Sequence, residues 1–128
     1  NPLASTVGKE DFRHITGIIL PKNNSQAEAI IVATNAGILR STDGGTSWTK
    51  VLTNNFPQFD SASRYSSVSA SSGGVYYAAL AAQLGKVYGS GTSKVYRSTN
   101  GVSWIEITPP EVKECYFLKV ASAPSQPN

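Results

Sequence analysis

The sequence predicts an all-β fold, because of its composition, its turn residues and an internal repeat. Only 15% of the 128 residues are charged, against about 25% in an ordinary globular domain. Small polar residues and glycine take the place of those charges, which favours short strands joined by turns over a helix bundle. The chain is long enough to bury a core of its own.

The charge and the apolar runs exclude two classes of partner. The net charge of +3 comes from lysines and arginines scattered along the chain, whereas nucleic-acid-binding surfaces usually show a clustered basic patch. The longest apolar run, 76–82, is too short to cross a bilayer. We therefore predict no nucleic-acid partner and no membrane span. The single cysteine, Cys115, rules out an intrachain disulfide, and we expect it to be a half-buried strand residue.

An internal repeat organises the chain. Residues 38–48, ILRSTDGGTSW, recur as residues 95–104, VYRSTNGVSW, with one residue fewer in the loop. The equivalent serines Ser41 and Ser98 stand 57 positions apart (98 − 41). Blades of four strands in β-propellers repeat every roughly 40–50 residues plus loop insertions. The period therefore predicts two consecutive blades.

Each repeat contains four short apolar stretches bounded by turn residues, as expected of four strands. In chain order the predicted strands are 13–20, 29–34, 38–41 and 48–52, then 64–71, 75–82, 94–98 and 104–108. A further strand is expected over 115–123. No helix is predicted, because the one helix-tolerant stretch, 26–31, is short and lacks capping residues.

These strands divide the chain into five parts. They are a lead-in over 1–12, a blade over 13–52, a connector over 53–63, a second blade over 64–108, and a connector with the first strand of a third blade over 109–128. Two blades alone leave an open face on each side. The chain also has no methionine and starts with Asn1. We therefore expect a piece of a longer protein, whose remaining blades, or a covering partner chain, contact these open faces.

Two loop motifs carry a resemblance to a known family. Their defining residues are Ser41, Asp43, Gly45 and Trp48 in the first copy, and Ser98, Asn100, Gly101 and Trp104 in the second. The first copy matches the Asp-box, also called the bacterial neuraminidase repeat, in full, and the second is a shortened relative. The layout is most similar to sortilin-type, photosystem-assembly-factor-type and bacterial WD40/YVTN/BNR-like propellers. The resemblance implies a β-propeller segment of two four-stranded antiparallel blades plus the first strand of a third.

The motif is expected to be a structural turn device. An aspartate accepts hydrogen bonds from nearby backbone N–H groups, and Gly44 and Gly45 supply left-handed backbone conformations. Trp48 can cover the loop with its ring. Asn100 can make the same local bonds as Asp43 but cannot act as a catalytic carboxylate. We therefore predict that Asp43 is structural.

In the resembled folds, ligand sites lie on the face opposite the boxes, where blade connectors and the loops between second and third strands meet. The residues of this sequence expected on that face are Asp11, Arg13, Asp60, Tyr65, Tyr88 and Glu111. Acids on these connectors could form the opposed carboxylate pair of an inverting glycosidase, roughly 6.5–9.5 Å apart. Aromatic residues there could stack on sugar rings, although packing between blades is the favoured interpretation.

Other chemistry has weaker sequence support. The segment 12–15, FRHI, resembles in part the sialidase motif that supplies the first arginine of its triad, but it lacks the proline. Arg40 and Arg97 precede the boxes and are expected to be part of the scaffold. His14 has no partner at metal-ligand spacing except Glu10 and Asp11. No metal and no cofactor are predicted.

Three functions stay open on the sequence alone. The favoured one is a non-catalytic interaction scaffold within a larger secreted or cell-surface bacterial protein. The second is part of a glycoside hydrolase of the xyloglucanase or sialidase type. The third is an assembly or sorting factor that binds peptides or proteins. A glycan or a peptide is accordingly the expected ligand class, and no catalytic residue is assigned, since a fold does not determine a function.

Overall fold

The fold consists of two four-stranded antiparallel sheets, each built from strands that are consecutive in the chain. The computed structural model describes residues 7–21, 29–53, 66–81, 93–112 and 118–122. The first sheet contains β1 (Ile15–Ile19), β2 (Ile30–Thr34), β3 (Gly37–Ser41) and β4 (Thr49–Leu52). The second contains β5 (Ser66–Ala70), β6 (Tyr76–Leu80), β7 (Lys94–Ser98) and β8 (Ile105–Glu106). The predicted all-β fold with two such sheets is confirmed.

The ends of the elements differ from the sequence prediction. Most strands are one or two residues shorter at an end, and β8 keeps only two of the five residues expected over 104–108. Two single-turn 3-10 helices, Lys9–Phe12 and Pro110–Val112, correct the expectation that the chain has no helix. The first is closed locally, because Gly8 N–H donates to the Asp11 carboxylate at 2.9 Å. Such one-turn elements leave no apolar periodicity for a sequence pattern to reveal.

The two sheets pack face to face, and the main core lies between them. β5 contacts β1, β2 and β3 of the first sheet. The most buried core residues come from both sheets: Ile31, Ala33 and Ile38, and Tyr76, Ala78 and Leu80. A polar contact joins the sheets as well, since Ser66 Oγ donates to the Thr34 carbonyl at 2.6 Å. Continuous apolar strands are expected where both faces of a sheet are covered.

The opposite face of the first sheet is only partly covered. Val32 and Leu39 are buried there beneath Val7 and Phe12 of the lead-in segment. A bulge between Ile15 and Gly17 shifts the register of β1 against β2. The shallow groove on this face, which we call the open face, has a volume of about 440 Å³. It is lined by Ile15, Ile18, Leu20, Ile30 and Trp48, together with Phe12 and the buried Val32. Ile18 is 61% exposed and Leu20 is 66% exposed.

The first strands of successive repeats lie side by side. A Cβ added at Gly17 would lie 3.9 Å from Val68 N and 3.6 Å from Val68 O. One step further along the chain, Val120 N–H donates to Ser67 Oγ at 3.1 Å. Gly17 stands opposite Ala33 and Ser67 stands opposite Ala79, and these two alanines occupy the same position in their repeats. Gly17 and Ser67 are therefore equivalent. Residues 118–122 therefore lie beside β5 in the same way that β5 lies beside β1, and we call this shift from one first strand to the next the displacement.

Residues 118–122 fall within the strand expected over 115–123, but they form no backbone ladder with β5. Side-chain bonds hold them instead: Ser122 N–H donates to Ser69 Oγ at 2.9 Å, and Ser122 Oγ lies 2.5 Å from the Ala70 carbonyl, to which it donates. The remainder of that predicted strand lies outside the described residues.

Candidate functional site

The first box, residues 41–48, is a turn closed by its own side chains. Ser41 Oγ donates to Asp43 Oδ1 and accepts from Gly45 N–H, both at 2.8 Å. Asp43 accepts twice from Ser47, from the backbone N–H at 2.8 Å and from the hydroxyl at 2.6 Å. Trp48 Nε1 donates to the Gly45 carbonyl at 2.9 Å. These contacts join both ends of the β3–β4 hairpin loop.

The electrostatics of Asp43 follow from these donors. The Ser47 hydroxyl, the Ser47 N–H and the Ser41 hydroxyl lower the pKa of the Asp43 carboxyl from 3.8 to about 2. Hydrogen bonds to the ionised form favour that form. A carboxyl group with so low a pKa is unsuited to act as a general acid near neutral pH.

The second box, residues 98–104, repeats the same bonds with an amide. Ser98 Oγ donates to Asn100 Oδ1 at 3.1 Å and accepts from Gly101 N–H at 2.9 Å. Asn100 Oδ1 also accepts from the N–H groups of Val102 and Ser103, at 2.9 and 2.8 Å. Asn100 Oδ1 therefore accepts hydrogen bonds from its own loop, as Asp43 Oδ1 does in the first box.

The two box tryptophans differ. Trp48 Nε1 is bonded within its own loop, whereas Trp104 Nε1 is buried and has no hydrogen-bond partner in the part of the chain that the structure describes. Trp104 packs instead against the core between the sheets.

The second box also contacts the first sheet. Gly101 is buried and has a φ of +70°. A Cβ there would lie 2.7 Å from Ile31 Cδ1 and 3.8 Å from Arg40 Nε. Glycine therefore suits the backbone conformation, and a side chain here would have to displace the Ile31 methyl group where the loop approaches β2 and β3.

The open face of the first sheet corresponds, position by position, to a face that is packed in the second sheet. The strand registers set this correspondence, because Leu39 stands opposite Val32 and Tyr96 stands opposite Ala78. The equivalent pairs are Ile18 and Val68, Leu20 and Ala70, Ile30 and Tyr76, Val32 and Ala78, and Trp48 and Trp104. All the second-sheet members of these pairs belong to the core between the sheets. Apolar residues occupy the same positions in both sheets.

Sequence reasoning did not single out Ile18 and Leu20. Their signal was the apolar character of both faces of β1, which is typical of a strand covered on both sides. β5, with the sequence SSVSA, lacks that character and has polar side chains on one face.

Among the predicted ligand-face residues, Asp11 has partners that lie outside the predicted set. The Asp11 carboxylate caps Gly8 at 2.9 Å and forms an ion pair with Lys50 Nζ at 3.0 Å. Asn35, between β2 and β3, donates its side-chain N–H to the Glu10 carbonyl at 2.9 Å. The loop after β2 and the lead-in segment are thus in contact.

The other candidates on that face form no described cluster. Arg13 is exposed just before β1, and Glu111 is exposed within the second 3-10 helix. Asp60, Tyr65 and Tyr88 lie outside the described residues. Within the described ranges, no group of three histidine, cysteine, aspartate or glutamate side chains could hold a metal ion.

Membrane and family comparisons add little. Among the residues with described positions, no helix has the length and apolar character needed to cross a membrane. Comparison with protein-family models finds no match, and comparison with curated proteins finds none either.

Proposed function

We propose that the chain is a non-catalytic segment of a β-propeller that serves as an interaction scaffold within a larger exported protein. The observation that carries the proposal is the equivalence of the open face with the packed face of the second sheet. Because the same positions are apolar in both sheets, the open face is suited to a further sheet of the same repeat. The exported location is inferred from the composition, which combines a single cysteine with many small polar residues.

The arrangement of the first strands supports the same proposal. β1, β5 and residues 118–122 follow one another with a repeated displacement. Radial repetition of four-stranded sheets, with their first strands toward a common centre, is the architecture of a propeller. In repeat proteins each unit mainly contacts its neighbours, so an uncovered face indicates a missing neighbour.

Two of the acids that the structure describes have structural partners, which supports a scaffold role for these residues. Asp11 is engaged by Lys50 and Gly8, and Asp43 is held ionised within the first box. A glycosidase needs one carboxyl group that keeps its proton near neutral pH and a second that faces it. Asp43, which is held ionised in the first box, does not supply the first of these roles.

One experiment tests the packing. A tandem chain would carry a copy of residues 64–117 in place of residues 1–14, so that a second-sheet unit precedes β1. We expect Ile18→Ser to be nearly neutral in the original chain, where Ile18 is 61% exposed. In the tandem chain the same change should cost about 1–2 kcal/mol of unfolding free energy, since the side chain would then be covered. An equal effect in both chains would contradict the proposal.

A second experiment tests the absence of catalysis. The chain should release no product from a fluorogenic sialoside or from xyloglucan oligosaccharides. Turnover that disappears with Glu111→Gln would identify a hydrolase and would overturn the non-catalytic assignment.

A further inference from the structure

The arginine before the second box has no described role within its own sheet. Arg97 is half-buried on β7, and it stands opposite Tyr77 of β6 and Ile105 of β8. Residues that stand opposite each other in neighbouring strands share one face of a sheet. We call the surface formed by Tyr77, Ala79, Val95, Arg97 and Ile105 the far face, because it is the side of the second sheet turned away from the first.

The equivalent arginine of the first sheet lies beside a box. Arg40 stands opposite Ile31, as Arg97 stands opposite Tyr77. Ile31 and Arg40 are the two residues that a Cβ at Gly101 would meet, at 2.7 Å and 3.8 Å. The pair formed by Ile31 and Arg40 is therefore the seat on which the second box rests.

The first part of a third unit is already beside the far face. Residues 118–122 lie along β5 through bonds to Ser67 and Ser69, which belong to the far side of that strand. This is the place that β5 takes beside β1. A sheet that continued from residues 118–122 with the same geometry would bring its own box onto Tyr77 and Arg97.

We infer that Tyr77 and Arg97 form a seat for the box-type loop of a third repeat, a tight turn with a glycine at positive φ and exposed carbonyl groups. The inference rests on the proposed function, since it takes the repeated packing as given, and it adds the partner of the far face. A guanidinium group is suited to such a loop, because its five N–H donors can reach several carbonyl oxygens or a box carboxylate at once.

The test compares two arginines in two chains. In the original chain, we expect Arg40→Gln to lower the thermal midpoint and Arg97→Gln to leave it unchanged. In an extended chain, a copy of residues 71–112 would replace residues 123–128, so that a complete third repeat follows residue 122. There, Arg97→Gln should lower the midpoint by about 2–4 °C, the shift expected for roughly 1 kcal/mol in a chain of this size.

The matched control is Arg13→Gln, which makes the same change of charge at an exposed position before β1. It should leave the midpoint of both chains unchanged. Circular dichroism should show added strand signal in the extended chain. The conservative variant Arg97→Lys should restore only part of the loss, because a lysine cannot present the planar set of donors.

Three results would overturn the inference. In the first, Arg97→Gln leaves the thermal midpoint unchanged in an extended chain that has gained strand signal. In the second, Arg97→Gln lowers the midpoint of the original chain as much as Arg40→Gln does, which would place the role of Arg97 within its own sheet. Failure of the added residues to gain strand signal would also show that the far face does not hold a third repeat. Each result is distinguishable from failure of the proposed function, which is measured at Ile18 on the other side of the chain.

Discussion

Alanine at Gly101 tests the contact between the second box and the first sheet, and alanine at Gly44 is its control. The two glycines have nearly the same φ, +70° and +69°. A Cβ at Gly44 would meet nothing within 4 Å, whereas a Cβ at Gly101 would lie 2.7 Å from Ile31 Cδ1. The pair therefore separates backbone strain from the packing of the two sheets.

The magnitudes follow from these surroundings. Left-handed backbone costs a residue with a Cβ about 1–2 kcal/mol, and that is the whole cost expected for Gly44→Ala. Ile31 is 1% exposed, so its methyl group cannot move into solvent to make room. Overpacking of this kind costs a further 1–3 kcal/mol or so. Gly101→Ala should therefore destabilise the chain by about 2–5 kcal/mol.

A double-mutant cycle in urea unfolding completes the assay. Ile31→Val removes Cδ1 and alone should cost about 0.5–1.5 kcal/mol. In the Gly101→Ala background it should instead recover stability, which gives a coupling energy of roughly 1–3 kcal/mol. Equal costs for the two glycine variants, together with additivity in the cycle, would refute the packing of the second box on β2.

Three further outcomes are expected. The pKa of Asp43 is lowered from 3.8 to about 2. Its ionised carboxylate therefore stabilises the fold above pH 3.8, and this stabilisation is lost as the pH falls toward about 2. Over that range, the urea midpoint should fall more steeply for the native chain than for the Asp43→Asn variant. Trp48→Phe removes the hydrogen bond to Gly45. It should lower the free energy of unfolding more than Trp104→Phe does, since Trp104→Phe removes a buried donor without a described partner. Equal losses in chemical unfolding would contradict the assigned bonds. Ser66→Ala removes the 2.6 Å bond between the sheets and should cost about 1 kcal/mol in the same measurement, whereas a neutral result would mean that this bond does not hold the sheets together.

The sequence was sufficient for the repeat and its hairpins. Ser41 and Ser98 mark equivalent loops, and the strands flanking these loops lie within one or two residues of their predicted positions at most ends. The local bonds of Asp43 and Asn100 follow from their side-chain chemistry, because both act over four residues or fewer. Short-range geometry of this kind is encoded by residue type and spacing.

Contacts between distant parts of the chain could not be predicted in the same way. The bulge at Ile15 and Gly17 is a one-residue shift that no period-2 pattern reveals. The seat formed by Ile31 and Arg40 depends on how one sheet lies on the other, which the sequence of either repeat does not specify. The role of Asp11 as a partner of Lys50 likewise needs the fold, since the two residues are far apart in the chain.

The central claim is that successive repeats are related by one displacement, and nuclear Overhauser effects between first strands measure it most directly. The account predicts a contact from β1 to β5 between Thr16 and Ser66, whose hydroxyl and carbonyl groups are bonded. It also predicts a contact from β5 to residues 118–122, between Ser67 and the amide of Val120. Observation of both would support repeated packing of the sheets. Two results would contradict the claim. One is a contact between Thr16 and Ser66 without a contact between Ser67 and Val120. The other is the absence of both contacts while the contacts within each sheet are observed.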